Sequence, residues 1–117
     1  MNFWVLSLTG DPRQIRNYTL APDGISLHAR VEVRYLPATE GWVLSLWDES
    51  SGELLVNQIP LVCSYGPLLD LFTPFRHLRA GRGIGSCYVL PAVDAPDSPD
   101  PGEKNLKQFF VCIGDTL

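Results

Sequence analysis

The stretch that decides the fold is residues 25–35, which read Ile-Ser-Leu-His-Ala-Arg-Val-Glu-Val-Arg-Tyr. Every odd-numbered residue in this stretch is apolar and every even-numbered residue is polar. Because successive side chains of a β-strand point to opposite faces, the alternation predicts a long strand with one buried face and one face in water. Pro37 and the turn residues 38–41 end the strand.

The segments that follow this strand predict a three-stranded antiparallel meander. Residues 42–47 alternate again and place Trp42 and Trp47 on opposite faces, so we expect one of them in the core. The other is a surface residue, half covered by its cross-strand neighbours, or an interface anchor. A turn at residues 48–52 leads into a third strand, and Pro60 places the end of that strand at a sheet edge or outside the ladder, because proline has no N–H to donate.

The flanking segments predict further strands separated by irregular chain. We predict these strands at residues 3–8, 14–20, 86–90 and 108–113. The closing strand is apolar on both faces, so we expect it to be central in its sheet or covered by a partner. Pro67 and Pro74 bracket an irregular segment at residues 66–72. Asp and Pro recur through residues 94–103, which predicts an exposed loop, named here the acidic loop.

Composition limits the fold class and the kinds of partner. The chain has 117 residues, and 45% of them are apolar against 19% charged, which is enough for one domain over residues 1–117 with a core of its own. We therefore predict a mainly β domain, a small antiparallel sandwich or partly open barrel with a long irregular loop. The net charge of −4, without a block of Lys or Arg, argues against nucleic acid or an anionic membrane as the main partner.

The compartment is inferred from the N-terminus and the cysteines. Residues 1–9 have no basic segment, and Ser7 and Thr9 interrupt their apolar run, so we expect no export signal. No apolar stretch approaches the roughly 18 residues that span a bilayer, and we expect a soluble protein made in the cytoplasm. The cysteines, Cys63, Cys87 and Cys112, lack the spacing of a zinc or redox motif, which indicates buried, reduced thiols.

Candidate catalytic features are few. An imidazole can activate a thiol, so a nucleophilic pair of Cys63 and His77 is one hypothesis, a hydrolase, although no local signature surrounds the cysteine. Residues 81–85, Gly-Arg-Gly-Ile-Gly, lack the Lys-Ser/Thr end of a phosphate-binding loop, and we interpret them as the chain leading into the strand at Cys87. We therefore predict no enzyme activity, no cofactor and no metal site.

Candidate partner contacts are aromatic and charged residues outside the predicted core. The basic cluster, Arg76, His77, Arg79 and Arg82, is opposite in sign to the acidic loop. It either closes an internal contact with that loop or meets an acidic patch on a neighbouring subunit. The residues that we predict to contact a partner are Phe3, Trp4, Trp47, Arg76, Arg79, Arg82, Asp97 and Asp100.

The order of strands and turns from Val31 onward resembles a known family. A long alternating strand is followed by Gly-Trp-Val-Leu-Ser-Leu-Trp-Asp at residues 41–48, a Gly52 turn, and Leu pairs at residues 54–55 and 68–69. Asp-Pro-Gly at residues 100–102 and Leu106 then precede the final apolar strand. Over residues 25–113 this pattern resembles the small plug proteins of phage tail baseplates, whereas residues 3–20 have no clear counterpart there.

The resemblance implies a structural role in a virion. Plug proteins are parts of the contractile tail baseplate, packed against hub, tube or wedge subunits, and the resemblance implies several copies per assembly and no enzymatic activity. The alternative is a stand-alone β-barrel that binds a small ligand in an apolar cavity lined by aromatic side chains. Association with neighbouring tail proteins favours the first hypothesis, and a persistent monomer that binds apolar probes favours the second.

Overall fold

The computed structural model describes residues 2–63, 69–78 and 83–116. The described chain contains 3₁₀ turns at Pro22–Gly24, Thr73–Phe75 and Leu106–Gln108 and no α-helix. Its seven strands are β1 (Phe3–Val5), β2 (Arg13–Leu20), β3 (Leu27–Leu36), β4 (Gly41–Asp48), β5 (Glu53–Pro60), β6 (Ser86–Pro91) and β7 (Phe109–Gly114).

The larger sheet contains four antiparallel strands in the order β2-β3-β4-β5. Its centre is the predicted meander, with Val31 opposite Leu46 and Val33 opposite Leu44. Leu27, Ala29, Val31 and Val33 are buried, as the alternation predicted. The prediction that the other face lies in water was wrong at Glu32, which is buried and pairs with Arg13 at 2.9 Å. The strand begins two residues later than predicted, because the backbone of Ile25 still bonds to the Pro22–Gly24 turn. β5 is an edge strand that ends at Pro60, as predicted.

The smaller sheet has the order β1-β7-β6, also antiparallel. β7 is its central strand, which confirms the interpretation of the closing apolar segment. The predicted first strand, residues 3–8, was too long. The Leu6 N–H still bonds to Val111, but the Ser7 N–H donates to the Tyr18 hydroxyl at 3.2 Å, so the chain leaves β7 and turns toward β2.

The core lies between the two sheets. Its largest fully buried side chains are Trp42 and Phe72, and the apolar faces of β3, β4, β6 and β7 surround them. The Trp42 indole N–H donates to the Gly102 carbonyl at 2.7 Å, so the buried ring keeps a hydrogen bond. No ladder joins the two described sheets, so they form an open sandwich and not a closed barrel.

Irregular segments are fixed by side-chain hydrogen bonds to the backbone. The acidic loop is irregular and mostly exposed, as predicted. It is tied to the body of the fold by Asp100, whose carboxylate accepts the Cys63 N–H at 2.7 Å, and by Asn105, which bonds Gly102 and Ser98. The other predicted irregular segment, residues 66–72, is described from Leu69 onward and is irregular there.

Two aspartates join the chain ends to the Pro22–Gly24 turn. Asp115 accepts the N–H groups of Asn2 and Asp23 at 2.8 and 2.7 Å. Asp23 in turn accepts the N–H and hydroxyl of Thr116. The hydrogen bonds from the Asn2 and Asp23 backbone lower the pKa of Asp115 below its ordinary value, because they favour the ionised carboxylate.

This arrangement predicts a pH-dependent contribution of Asp115 to stability. A carboxyl group whose folded-state pKa is lowered stabilises the fold above its unfolded pKa, and the contribution is lost as the pH falls through the folded value. Asp115→Asn is therefore expected to unfold at lower urea concentration than the parent at pH 7, with the difference shrinking as the pH falls below about 4. Asp94→Asn, in the acidic loop, is the control, and equal urea midpoints of Asp115→Asn and the parent at pH 7 would contradict the prediction.

Candidate functional site

One face of the smaller sheet packs on the core and the other faces outward. The core side carries Trp4 of β1 together with Cys87 and Val89 of β6 and the odd-numbered residues of β7. Since side chains alternate along each strand, the opposite side is made of the residues between them. These residues, named here the outer face, are Phe3, Val5, Ser86, Tyr88, Leu90, Phe110, Cys112 and Gly114. None of these residues is charged, but the Asp70 carboxylate bonds to the Ser86 hydroxyl at one end of the face. Ser86, Tyr88 and Cys112 are buried.

Three large apolar side chains of the outer face are exposed to solvent. Phe3 is 42% exposed, Val5 55% and Phe110 47%. Of the other exposed large apolar residues, Ile15 lies on β2 and Leu54 on β5, at opposite edges of the larger sheet. Scattered exposed apolar residues are normal on soluble proteins, whereas a contiguous uncharged group of them marks an interaction surface.

The register of the ladder explains how Phe3 lies on this face. Phe3 pairs with Gly114, and its ring occupies the space that a Cβ atom at residue 114 would need. The ring therefore extends across β7 and meets the Tyr88 ring of β6 edge-on, with centroids 5.9 Å apart. Because residue 114 is glycine, the Phe3 ring can lie over the end of the central strand, β7.

Two concave regions adjoin the exposed side chains. A concavity of about 280 Å³ is lined by Phe3, Tyr88, Leu90 and Cys112. A groove of about 370 Å³ runs where the chain after β1 diverges from β7, and it is lined by Val5, Leu6, Ser7, Leu8, Leu106, Lys107, Phe109 and Phe110. Val5 and Phe110 connect the groove to the outer face. The two concavities offer a shaped, mainly apolar surface to another molecule, and Lys107 is the charged residue in the lining of the groove.

The cysteines have the environment of buried apolar residues, as predicted. All three are buried thiols. Burial, with a smaller contribution from the Asp70 carboxylate, raises the pKa of Cys87, and burial also raises the pKa of Cys112. A raised thiol pKa disfavours the thiolate, which is the nucleophilic form. The hypothesis of a Cys63–His77 pair gains no support, because Cys63 is buried beside the acidic loop while His77 is exposed.

Asp70 anchors the chain segment beside the outer face. One of its carboxylate oxygens accepts the N–H groups of Phe72 and Cys87, each at 2.9 Å. The other accepts the Ser86 hydroxyl at 2.9 Å and the Arg76 guanidinium at 2.8 Å. The side chain of Asp70 is only 9% exposed. It fixes the segment before the Thr73–Phe75 turn against the edge of β6.

The three aromatic residues predicted to contact a partner differ in how far they are exposed. Phe3 lies on the outer face, whereas Trp4, its neighbour on β1, turns inward and packs against the core. Trp47 is half-buried, and the Arg30 guanidinium lies 4.7 Å from its ring centroid. Trp42 is the core tryptophan and Trp47 is covered in part by its own cross-strand neighbour.

Arg76, Asp97 and Asp100, the described charged residues among those predicted to contact a partner, make bonds within the chain. Arg76 pairs with Asp70 and not with the acidic loop. Arg79 and Arg82 lie outside the described residues. Asp97 exchanges hydrogen bonds with the Gln108 side chain, and Asp100 accepts the Cys63 N–H.

Several outer-face residues were not singled out from the sequence. Val5, Tyr88, Leu90, Phe110 and Cys112 join Phe3 only through the pairing of β1, β7 and β6. The available signal was the doubly apolar closing strand: once β7 is central and its odd-numbered residues face the core, Phe110 and Cys112 must face outward.

The described residues contain no metal-binding cluster, and comparison with known proteins gives no family. Among residues 2–63, 69–78 and 83–116, no group of three or more His, Cys, Asp or Glu residues is placed to hold a metal ion. Within the same residues, no helix has the length and apolarity needed to cross a membrane. No protein-family model matches the chain, and no curated protein matches it either. The likeness to baseplate plug proteins stays a prediction.

Proposed function

We propose that this protein is a structural subunit of a larger protein assembly and that another subunit covers its outer face. The proposal rests on one observation, the exposure of Phe3, Val5 and Phe110 together on a sheet face whose own strand residues carry no charge. Apolar surface gains about 25 cal/mol for each Å² removed from water, so such a face is stabilised when a partner covers it. Fully buried interface centres have the same character, apolar and aromatic with few charges.

We further propose that the assembly is a phage tail baseplate, in which the chain occupies a plug-like position against hub, tube or wedge proteins. The support is the resemblance of residues 25–113 to plug proteins in the order of strands, turns and Leu pairs. A subunit of this kind is made in the host cytoplasm and becomes part of the virion in several copies. In this role the subunit acts through its shape and its apolar contacts, and the proposal includes no catalysis, cofactor or metal.

The alternative function, a small-ligand barrel, is less well supported by the geometry. Such a barrel holds its ligand in an interior cavity. Here the described sheets do not close, and the space between them is filled by Trp42, Phe72 and Leu44. The apolar concavity beside Phe3 opens on the surface instead, where it adds to a protein-binding face.

Substitution of Phe110 is expected to abolish assembly without unfolding the protein. Phe110→Lys places a charge on the central strand of the outer face, where it would be buried without a partner on binding. We expect the parent protein, co-expressed with the proteins encoded beside its gene, to comigrate with one of them in size-exclusion chromatography with light scattering. Phe110→Lys should lose this comigration and elute as the isolated protein.

The matched control is Ile15→Lys. Ile15 is 49% exposed, close to the 47% of Phe110, but lies on β2 in the other sheet. Both variants should keep the thermal midpoint of the parent to within a few degrees, because both side chains are half exposed. Comigration of Phe110→Lys at the level of the parent would refute the proposed role of the outer face.

A further inference from the structure

β1 is an edge strand whose outward backbone groups are available. In the ladder to β7, the Asp115 N–H donates to the Asn2 carbonyl and the Leu6 N–H donates to Val111. In an antiparallel pair, the residues that exchange these bonds alternate along the strand. Asn2, Trp4 and Leu6 therefore bond toward β7, and the N–H and C=O groups of Phe3 and Val5 point to the outer edge. Outside the ladder, these two residues have no hydrogen bond to any described residue.

The other sheet edges carry features that oppose strand addition. β2 exposes Arg13 and Arg16. β5 begins with Glu53, ends with Pro60 and contains an irregularity in its ladder to β4, where Gln58 has φ +50° and bonds to Ser45. The edge of β6 is covered, since Leu71 and Asp70 bond to Cys87. Charges, prolines and bulges are the usual protection of exposed edges, and β1, with Phe-Trp-Val, has none of them.

The size of the outer face argues for an occupant that also uses this edge. β6 and β7 have six residues each and β1 has three, so the face covers at most roughly 250 Å². A stable interface buries about 800 Å² on each partner. A second copy of this chain resting only on the outer face would therefore bury too little. A partner strand added beside β1 extends the sheet, enlarges the contact and gains main-chain hydrogen bonds.

The side chains around the edge define the chemistry of that strand. Residues of the added strand that pair with Phe3 and Val5 lie on the outer face, so they should be apolar. Lys107 lines the groove, and because it precedes β7, which is antiparallel to β1, it lies toward the Leu8 end. It is exposed and makes no ion pair with a described residue. An acidic residue of the partner at that end would complement it. In an antiparallel strand, this is the N-terminal end, because β1 runs toward Leu8.

We propose that the edge of β1 accepts an extended segment of the partner protein as an antiparallel strand, with alternate apolar residues over the outer face and an acidic residue beside Lys107. This inference rests on the proposed function, because it names how the covering subunit is held. It assigns a binding role to the backbone of Phe3 and Val5, in addition to their side chains.

The test uses the full-length chain, labelled with ¹⁵N, and a synthetic peptide, acetyl-Glu-Val-Thr-Val-Thr-Val-Thr-amide. We expect chemical shift changes centred on residues 2–8 and Lys107, and slowed exchange of the Phe3 and Val5 amides. Trp4 and Leu6 amides, already bonded to β7, should change little in exchange rate. Replacing the peptide's Glu with Lys should weaken binding severalfold, with a smaller difference at high salt.

Matched N-methylated peptides separate strand addition from simple apolar contact without altering the protein. Methyl groups on the valine nitrogens remove the N–H groups that face β1, and should weaken binding at least tenfold. Methyl groups on the threonine nitrogens face away, and should weaken it less than threefold. Absence of binding, shift changes centred elsewhere, or equal weakening by both methylated peptides would overturn the proposal.

Failure of this proposal can be told apart from failure of the proposed function. Phe110 lies on the central strand, and its variant reports whether a partner covers the outer face regardless of the β1 backbone. If Phe110→Lys abolishes comigration and the peptides do not bind the β1 edge, the covering subunit uses the face without adding a strand. If the peptides bind as expected and Phe110→Lys assembles normally, the edge is a strand-binding site and the proposed covering of the outer face is wrong.

Discussion

Asp70→Ala is expected to lower the free energy of unfolding by about 3–5 kcal/mol. The substitution removes one carboxylate that accepts four hydrogen bonds, from Phe72, Cys87, Ser86 and Arg76. Ser86 is fully buried, so its hydroxyl and the neighbouring Cys87 N–H would be left without an acceptor. Each buried polar group left unsatisfied costs about 1–3 kcal/mol. This loss is a large part of the total stability of about 5–15 kcal/mol that is typical of a domain.

Urea unfolding of Asp70→Ala and Arg76→Ala measures this effect and its cause. Arg76 is 44% exposed, so its ion pair with Asp70 is partly screened by solvent, and its loss should cost at most about 1 kcal/mol. The backbone and hydroxyl bonds to Asp70 remain in that variant. Equal losses in the two variants would mean that the ion pair alone accounts for the effect, which would contradict the role given to Asp70.

Gly85→Ala is expected to destabilise the protein by about 3 kcal/mol or more, the sum of backbone strain and overlap. Gly85 has φ +85°, a conformation that costs a residue with a Cβ about 1–2 kcal/mol. An added Cβ would also overlap the Gly114 carbonyl and the Pro22 ring, both of which belong to other parts of the fold. Forcing extra atoms into packed structure costs about 1–3 kcal/mol.

Gly52→Ala separates the two contributions. Gly52 has φ +73°, close to that of Gly85, but no atom lies within 4 Å of its added Cβ. Its alanine variant should therefore lose about 1–2 kcal/mol from backbone strain alone. Thermal and urea unfolding of both variants would check this difference. A Gly85→Ala variant no less stable than Gly52→Ala would show that residues 22, 85 and 114 do not pack as closely as described.

The larger sheet could be predicted from the sequence because its information is local. Residues 25–35 alternate without exception, and short turns at residues 37–41 and 48–52 connect them to the next strands. Hairpins of this kind pair neighbouring segments, so the register follows from the turns and the alternation. The same alternation predicted that one of Trp42 and Trp47 is in the core, and the structure shows that it is Trp42. The half-covered position of Trp47 followed only as one of the alternatives, since the sequence does not show that Arg30 lies on its ring.

The smaller sheet could be predicted only in part because its strands are far apart in the chain. β1 and β7 pair residues such as Phe3 and Gly114 across almost the whole chain, and no turn fixes their register. The sequence identified the strands and the doubly apolar character of β7. The sequence did not show which residues of β1 and β6 lie beside Phe110 and Cys112 on the outward side of β7. The outer face exists only because the three strands pair in the observed register.

The charged residues show a second limit of the sequence. Opposite charges in the basic cluster and the acidic loop suggested either an internal contact or a contact between subunits. In the described residues, Asp100 of the acidic loop instead accepts the Cys63 N–H, and Arg76 of the basic cluster pairs with Asp70, which lies outside that loop. Side-chain bonds to the backbone depend on loop conformation, which composition does not give.

Site-specific photo-crosslinking from Phe110 tests the central claim, the covering of the outer face, most directly. Phe110 is replaced by p-benzoylphenylalanine, which keeps an aromatic side chain, and the protein is irradiated after co-expression with the proteins encoded beside its gene. The same crosslinker at Ile15 is the control. We predict a crosslink from position 110 to a second protein and none from position 15. No crosslink from position 110 in a purified complex, or equal crosslinking from both positions, would contradict the account.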